Sequence, residues 1–228
     1  VHVPFAPDKR FIEKYRAAGL DETEAQYAAL IEGMDKSLSD ILGALQRLGV
    51  AQNTVVLFMS DNGGLSAHGR GGKAHTHNLP LSSGKGSARE GGIRVPMIVK
   101  WPGVTQPGSV CDVPVIVEDF FPTLLELAGL QDVRQNGGVP DGVSFVPLLR
   151  GAEGTTRDRV FLWHYPNHWG PKGPGLGTFS AMRQGDWKLI FYHTDQRLEL
   201  FNLADDIGET RNLAAEKPDV AQRLAAVL

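Results

Sequence analysis

Residues 55–64 have the sequence VVLFMSDNGG, and this segment is the strongest indication of the fold class. Its first five residues form a continuous apolar run, rich in β-branched side chains and without the alternation of a half-exposed strand. Such a run is typical of a strand that is buried on both faces of a parallel sheet. Asp61 and Asn62 follow almost directly, so we expect both at the carboxyl end of the strand, where α/β proteins bind their ligands.

The side chains of Asp61 and Asn62 offer oxygen atoms, which are the ligands that Ca²⁺ and Mg²⁺ prefer in proteins. The two glycines that follow allow the backbone to turn sharply. Two interpretations stay open on this pattern alone: a divalent cation site, or a plain Asp-Asn-Gly-Gly turn.

Elements on both sides of this segment indicate an α/β architecture. Apolar residues recur every three or four positions over residues 21–48, which predicts a long helix that begins at the Asp21 N-cap and packs on a sheet. Residues 95–99 predict a second core strand, and residues 117–128 predict a second helix. This order of strands and helices suggests layers of helices on a sheet.

The sequence pattern changes after Arg150. Gly185-Asp186 and Asp195-Gln196 suit hairpin turns, which indicates a small antiparallel sheet. Four short strands and a final helix are predicted there, over residues 159–164, 179–184, 187–192, 197–201 and 217–227.

Length, charge and composition exclude several classes of protein. The chain has 228 residues and a net charge of -3, which excludes a strongly basic nucleic-acid-binding protein. Its apolar runs are too short for a membrane-spanning helix, and its one cysteine cannot form a disulfide within the chain. The chain starts at Val1 without an initiator methionine or a signal peptide, so we expect a piece of a longer protein. Nothing in the sequence sets the oligomeric state.

The loop between the two core strands, residues 61–94, has the composition of an anion-binding site. It contains nine of the 27 glycines, three of the seven histidines, and five basic residues against two acidic ones. A basic, glycine-rich loop after a buried strand is where an α/β protein binds an anion. Lys85 lies between Gly84 and Gly86, so its ammonium group has little steric cover. The pattern is not a P-loop, and on its own it also fits a solvated turn.

Several ordered motifs together resemble the sulfatase family, the arylsulfatase-type members of the alkaline phosphatase superfamily. Residues 53–63 resemble its second metal-binding segment, and residues 84–96, GKGSAREGGIRVP, resemble its signature G-K-G-x-x-x-E-G-G-x-R-x-P. The resemblance runs from His2 to about Leu213. It includes WPG at 101–103, DFFPTLLELAG at 119–129, GDWKLI at 185–190 and ELFNL at 199–203.

The resemblance implies an α/β fold: a partial alkaline-phosphatase-like sheet with flanking helices, plus a small C-terminal antiparallel subdomain. Residues 1–150 would be the C-terminal part of the catalytic domain, and residues 151–228 the antiparallel subdomain with its terminal helix. The implied activity is hydrolysis of a sulfate ester on a small molecule or a glycan.

The resemblance also implies roles for four residues. Asp61 and Asn62 would bind a divalent cation, Ca²⁺ in most relatives, with Mg²⁺ as the alternative. Lys85 would contact the sulfate and its bridging oxygen, and His2 would contact the sulfate and protonate the leaving group. A cation, an ammonium and an imidazolium can stabilise the charge that develops on the leaving oxygen.

One part of the family pattern does not occur in this sequence. The family's nucleophile is a formylglycine made from Cys or Ser in a C/S-x-P-x-R motif, and the family has further metal-binding aspartates near the N-terminus. Cys111 precedes Asp-Val-Pro-Val, which lacks both the proline spacing and the arginine. The resemblance therefore implies that the formylglycine lies in an N-terminal part outside this chain, and that the chain alone is inactive. It also implies a periplasmic, secreted or lysosomal enzyme.

Two more histidines are candidates for substrate contact. His77 lies in the basic loop, two residues after His75. Because no third ligand is in view, substrate contact or a solvated loop is favoured there over a metal site. His168 lies in HYPNHWG at 164–170, which suits either a pocket for a sugar or aryl ring, or a packed surface turn.

Two other functions stay open. A phosphodiesterase or phosphonate hydrolase of the same superfamily shares the metal-binding aspartates, although Lys85 and an Asp-Asn pair, rather than Asp-His, favour a sulfatase. A non-catalytic remnant that binds sulfate or a glycan would also hold an anion. The identity of the nucleophile segment would distinguish these alternatives.

Overall fold

The structure is a computed structural model, and it describes residues 1–2, 4–65, 78–130, 141–153, 159–167 and 174–228. The chain divides into two compact units. The first consists of Val1–Thr54 with Gly64–Asn78, and the second of Val55–Gly63 with Leu79–Leu228. The division into domains at residues 1–150 and 151–228 stays a prediction.

Two helices and a 3-10 turn form the described part of the first unit: α1 (Ile12–Ala17), α2 (Glu22–Arg47) and the turn Ala51–Asn53. The predicted N-cap is confirmed, because the Asp21 carboxylate accepts a hydrogen bond of 3.0 Å from the Glu24 N–H. Within the described residues, no helix is both long and apolar enough to cross a membrane. The two helices enclose a small buried cluster of Ile12, Ala25 and Ala29.

The two predicted core strands form an antiparallel pair, so the predicted parallel arrangement is wrong for these strands. Strand β1 is Val56–Met59 and strand β2 is Met97–Lys100, with Val56 opposite Lys100. The predicted burial on both faces is not seen either, because the residues of β1 are only half-buried and Ile98 of β2 is 65% exposed. An apolar run also carries no information about the direction of the neighbouring strand.

Three short helices flank β2 along the chain. Helix α3 (Glu90–Ile93) precedes β2, and α4 (Phe120–Leu127) and α5 (Val146–Leu149) follow it. A 3-10 turn leads into α4, which confirms the helix predicted over 117–128. The buried Asp119 carboxylate fixes the start of this helix. It accepts hydrogen bonds from the Ile116 N–H at 3.0 Å, the Val143 N–H at 2.8 Å and Arg159 Nη1 at 2.5 Å.

A four-stranded antiparallel sheet, which we call the C-terminal sheet, confirms the pattern predicted after Arg150. The strands pair in chain order: β3 (Val160–Tyr165), β4 (Phe179–Gln184), β5 (Trp187–Tyr192) and β6 (Leu198–Asn202). The predicted two-residue turn at Gly185-Asp186 joins β4 to β5, with Gln184 opposite Trp187. The last helix, α6, spans Pro218–Ala225.

Both faces of the C-terminal sheet are covered. On one face, Met182, Leu189 and Leu200 pack with residues of α6. On the other face, a second buried cluster joins the sheet to Ala88, which lies three residues after Lys85. The segment that contains Lys85 therefore packs directly on the sheet. The cluster consists of Ala88, Phe179, Ala181, Ile190, Tyr192, Phe201 and Leu203.

Candidate functional site

Asp61 and Asn62 lie in a short loop after β1, residues 60–63, which we call the carboxylate loop. The Asn62 side-chain amide donates a hydrogen bond to the carboxylate of the exposed Asp61. This bond is the main cause that holds the pKa of Asp61 below its ordinary value, and the positive charge of Lys85 adds to the effect. An aspartate is already ionised at neutral pH, as a metal ligand must be, and these interactions favour the ionised form further.

Lys85 lies in a tight turn within residues 82–94, which we call the lysine loop. The Ser87 N–H donates a hydrogen bond of 3.0 Å to the Gly84 carbonyl oxygen and so closes a four-residue turn. Gly86 has a φ of 82°, the left-handed value that the third position of a type II turn requires. Glycine adopts it without strain, which explains why Lys85 is followed by a residue that has no side chain.

Glycines bring the carboxylate loop and the lysine loop together. The Gly63 N–H donates a hydrogen bond of 2.9 Å to the Gly92 carbonyl oxygen. A Cβ atom added at Gly63 would lie 1.8 Å from the Gly91 carbonyl oxygen, and one added at Gly91 would lie 2.3 Å from the Ser82 carbonyl oxygen. Only glycine permits this approach of backbone to backbone, so the two loops are fixed against each other.

The segment before β4 also packs on the lysine loop. The Ala88 N–H donates a hydrogen bond of 2.9 Å to the Gly175 carbonyl oxygen, and Ser87 Oγ donates one of 3.0 Å to the Pro174 carbonyl oxygen. A Cβ atom at Gly175 would lie 2.1 Å from Ser87 Oγ. The residues that lead into β4 therefore border the turn that contains Lys85.

Arg89 of the lysine loop is held by the C-terminal sheet. Its Nη2 donates a hydrogen bond of 2.8 Å to Glu199 Oε2, and its Nη1 donates one of 2.5 Å to the Glu209 carbonyl oxygen. The guanidinium also lies 4.5 Å from the centre of the Phe201 ring, a cation–π distance. Tyr192 donates a hydrogen bond of 2.9 Å to the same Glu199 carboxylate, and burial raises the pKa of Tyr192.

Glu90, at the start of α3, belongs to a buried cluster of three charges. Lys188 Nζ on β5 donates a hydrogen bond of 2.8 Å to Glu90 Oε1 and lies 2.9 Å from Glu209 Oε1. The Glu90 N–H donates a hydrogen bond of 2.6 Å to Glu209 Oε2. Lys188 is 0% exposed and both glutamates are 2% exposed. Burial raises the pKa of Glu209 above its ordinary value, against the opposing effect of the Lys188 charge.

These buried charges are not among the residues predicted from the sequence. A signal for them exists, because Lys188 and Glu199 each stand alone among apolar residues of a strand, in WKLI and LELF. A charged residue at an inward position of a strand must have a buried partner, since an unpaired buried charge is strongly unfavourable.

The other predicted site residues have different outcomes. His2 is exposed and lies in the first compact unit, whereas Asp61, Asn62 and Lys85 lie in the second. The role of His2 as sulfate contact and acid stays a prediction. His77 and His168 lie outside the described residues, so their contact with substrate stays a prediction too. Within the described part of the chain, no group of three or more His, Cys, Asp or Glu residues could hold a metal ion.

Two family models match the chain. The sulfatase family model matches residues 1–130. A second model, described as N-sulphoglucosamine sulphohydrolase, C-terminal, matches residues 85–227. The two matches overlap over residues 85–130 and together include nearly the whole chain.

Curated relatives and solved structures are similar over most of the chain. A sulfatase from Formosa agariphila is 36% identical over 96% of this chain and 41% of its own length. Arylsulfatase K from Danio rerio is 33% identical over 90% of this chain and 36% of its own length. The crystal structure of Ps i-CgsB in complex with k-i-k-neocarrahexaose is 27% identical, with a TM-score of 0.79 over 96% of this chain and 45% of that one.

The fold is shared more widely than the sequence. The phosphonate monoester hydrolase SpPMH from Silicibacter pomeroyi has a TM-score of 0.66 at 23% identity, over 89% of this chain and 39% of that one. This chain thus spans less than half the length of the relatives it matches. The sulfatase model matches more than half of the chain, and the motifs and the α/β fold agree with it. The chain therefore belongs to the sulfatase family of the alkaline phosphatase superfamily.

Proposed function

We propose that the protein containing this chain hydrolyses sulfate esters, and that Asp61, Asn62 and Lys85 form part of its active site. The observation that carries the proposal is the contact between the carboxylate loop and the lysine loop, made by the hydrogen bond from Gly63 to Gly92. This contact brings an ionised carboxylate, an amide and an ammonium group into one region of the molecule, as a cation and an anionic ester require.

Lys85 is the residue that we propose to bind the ester sulfate. Its ammonium group is a compact charge with three donors, which suits a sulfate oxygen and the bridging oxygen. The type II turn holds its backbone, so less conformational freedom is lost when the anion binds. The charge on the bridging oxygen increases as the ester bond breaks, and Lys85 would stabilise that charge.

Asp61 and Asn62 fit a hard divalent cation as part of its ligand set. Both offer oxygen atoms, and the Asp61 side chain is a carboxylate at neutral pH, as a metal ligand must be. Ca²⁺ takes roughly six to eight oxygen ligands, so this pair would supply a minority of them. We propose Ca²⁺, with Mg²⁺ as the alternative. When bound, the cation would neutralise charge on the sulfate oxygens.

The remaining roles follow the family motifs. His2 would hold a proton on its imidazole ring and donate it to the leaving oxygen. The nucleophile would be a formylglycine contributed by residues outside this chain. His77 and His168 would contact the substrate. A sulfated glycan is the proposed substrate class, since Ps i-CgsB was solved with an oligosaccharide. The compartment would be periplasmic, extracellular or lysosomal.

The first test is the gene sequence upstream of the codon for Val1. A Cys or Ser followed by x-Pro-x-Arg, behind an export signal, would support the proposal. A Thr or Ser nucleophile outside that motif would indicate the phosphoryl-transfer alternative. A start codon close to Val1 would leave only the non-catalytic alternative.

The second test uses the full gene product and an Asp61→Ala variant. We expect the wild type to hydrolyse p-nitrophenyl sulfate faster than p-nitrophenyl phenylphosphonate. We expect Asp61→Ala to lose both Ca²⁺ binding, measured by calorimetry, and turnover. Asp112→Ala, which removes an exposed aspartate outside the quoted motifs, is the matched control and should keep both. Normal Ca²⁺ binding and activity in Asp61→Ala would refute the site assignment.

A further inference from the structure

The lysine loop is attached to the C-terminal sheet by a buried ammonium group. Lys188 Nζ lies 2.8 Å from Glu90 Oε1 and 2.9 Å from Glu209 Oε1, and no part of its side chain is exposed. Two arginines lie farther from the Glu90 carboxylate, with Arg94 at 3.8 Å and Arg183 at 4.0 Å. Lys188 is thus the cation in closest contact with Glu90.

Stability alone is a weak reason for a lysine at this position. Buried ion pairs gain little over apolar side chains of similar volume, because both charges lose their hydration. The neighbours of Lys188 on the same face of the sheet, Ile190 and Tyr192, show that apolar packing is available there. A buried ion pair differs from apolar packing because it requires one particular geometry.

The geometry that Lys188 requires is that of the two loops of the site. Glu90 is followed by Gly91, whose N–H donates a hydrogen bond of 2.8 Å to the Ser82 carbonyl oxygen at the start of the lysine loop. The next residue, Gly92, accepts the hydrogen bond from Gly63 in the carboxylate loop. A shift of Glu90 would therefore move both contacts.

A second set of contacts, made by Arg89, holds the lysine loop at the residue before Glu90. Arg89 donates hydrogen bonds to Glu199 and to the Glu209 backbone, as described above. Glu209 therefore contacts both Arg89 and Glu90, and it has a φ of 53°, an uncommon left-handed value for a residue with a side chain. The cluster leaves this segment little freedom to move on the sheet.

We propose that Lys188 is a positioning residue for the sulfate site, which acts through Glu90 to fix the lysine loop and the carboxylate loop. Its effect on catalysis rests on the proposed function, whereas its effect on the geometry of the loops does not. Lys188 of the C-terminal sheet would thus affect catalysis by holding the two loops in place, without contacting the substrate itself.

The test compares Lys188→Met with Arg159→Met in the full gene product. Arg159 forms an ion pair of 2.5 Å with the buried Asp119, so its removal also breaks a largely buried pair in the same compact unit. Asp119 contacts Ile116 and Val143 rather than the two loops. Two quantities are measured where both variants are folded: amide hydrogen exchange at Gly63 and Gly91, and the kinetics of p-nitrophenyl sulfate hydrolysis.

We expect the amide hydrogens of Gly63 and Gly91 to exchange at least about tenfold faster in Lys188→Met than in Arg159→Met. We also expect it to lower kcat by about tenfold or more, since small displacements of catalytic groups have effects of that size. Arg159→Met should keep kcat and KM. Unchanged exchange in Lys188→Met, or equal changes in both variants, would overturn the proposal.

A second variant covers the case in which Lys188→Met does not fold. Lys188→Met with Glu209→Gln removes the Glu209 carboxylate, which would otherwise lose its lysine partner, and the glutamine oxygen can still accept a hydrogen bond from the Glu90 N–H. We expect the same faster exchange, and normal exchange would refute the proposal.

If the wild type fails to hydrolyse sulfate esters, the proposed function is wrong, but the exchange comparison still decides the role of Lys188.

Discussion

Gly63 shows how a residue without a side chain controls the candidate site. We expect Gly63→Ala to destabilise the protein by about 1–3 kcal/mol or more, because the new Cβ would lie 1.8 Å from the Gly91 carbonyl oxygen. We also expect weaker Ca²⁺ binding, since Asn62 must move with it. Urea unfolding and calorimetric titration with Ca²⁺ measure the two effects.

Gly43→Ala is the matched control for that substitution. Gly43 lies inside α2, and its added Cβ would approach only the flexible end of Arg47, at 3.3 Å. Glycine is unfavourable within a helix, so this variant should gain about 0.5–1 kcal/mol. Equal stability changes in both variants would contradict the close backbone contact at Gly63.

Glu209 gives the buried cluster a defined pH dependence. Its pKa lies above the ordinary value of 4.5, chiefly because the carboxyl is buried. A carboxyl with a raised pKa in the folded state contributes stability that is complete below the unfolded pKa and is lost as the pH rises through the folded pKa. Glu209→Gln removes this component, so the free energy of unfolding of the variant should rise relative to the wild type above about pH 4.5. Urea unfolding at several pH values measures the difference, and two parallel curves would contradict it.

Individual site residues were predictable only where a local motif contains them. Asp61 follows an apolar strand and Lys85 lies between two glycines, so a short segment of sequence is enough for each. Lys188 and Glu90 are 98 positions apart, and only the folded chain brings them together. No local pattern contains that information, although a lone lysine in an apolar strand indicates that a partner must exist.

The start of helix α2 depends on its N-cap residue, Asp21. The Asp21 carboxylate accepts from the Glu24 N–H, which has no partner within the helix. We expect Asp21→Ala to cost about 1 kcal/mol of stability. Thermal unfolding followed by circular dichroism measures this loss. Asp35→Ala, an exposed substitution in the middle of the same helix, should not destabilise the protein, since alanine favours a helix. A similar loss in both variants would argue against the cap.

Elements were more predictable than the pairing between them. The four C-terminal strands and the helices α2, α4 and α6 follow from periodicity and turn residues, and each agrees with the prediction within a few residues. The antiparallel pairing of β1 with β2 and their partial exposure did not follow, because a run of apolar residues specifies neither the direction of its neighbour nor what covers it. For the C-terminal strands the short turn between β4 and β5 supplies the direction, since two residues permit only an antiparallel hairpin.

The C-terminal sheet lies between the last helix and the loop that contains a proposed site residue. One of its faces packs with α6, and the other packs with the loop that carries Lys85. None of its described strands contains a residue predicted to contact sulfate. Its contribution to function would be geometric, because Lys188 and Glu199 of its strands hold Glu90 and Arg89 in place, together with Glu209, which follows β6.

The difference in buried apolar side chains between the two compact units predicts how stability is distributed over the molecule. The C-terminal sheet buries large side chains on both faces, including Met182, Ile190 and Phe201. Among the described residues, the buried cluster of α1 and α2 consists of Ile12 and two alanines, with Phe11 and Tyr15 partly buried against it. Local opening costs least where little apolar surface is buried. We therefore expect amides in β4 and β5 to exchange hydrogen slowest, at rates set by global unfolding, and amides in α2 to exchange orders of magnitude faster. Hydrogen exchange followed by mass spectrometry measures both. Equal protection of α2 and β5 would mean that the helices unfold only together with the sheet, and that the two compact units behave as one cooperative structure.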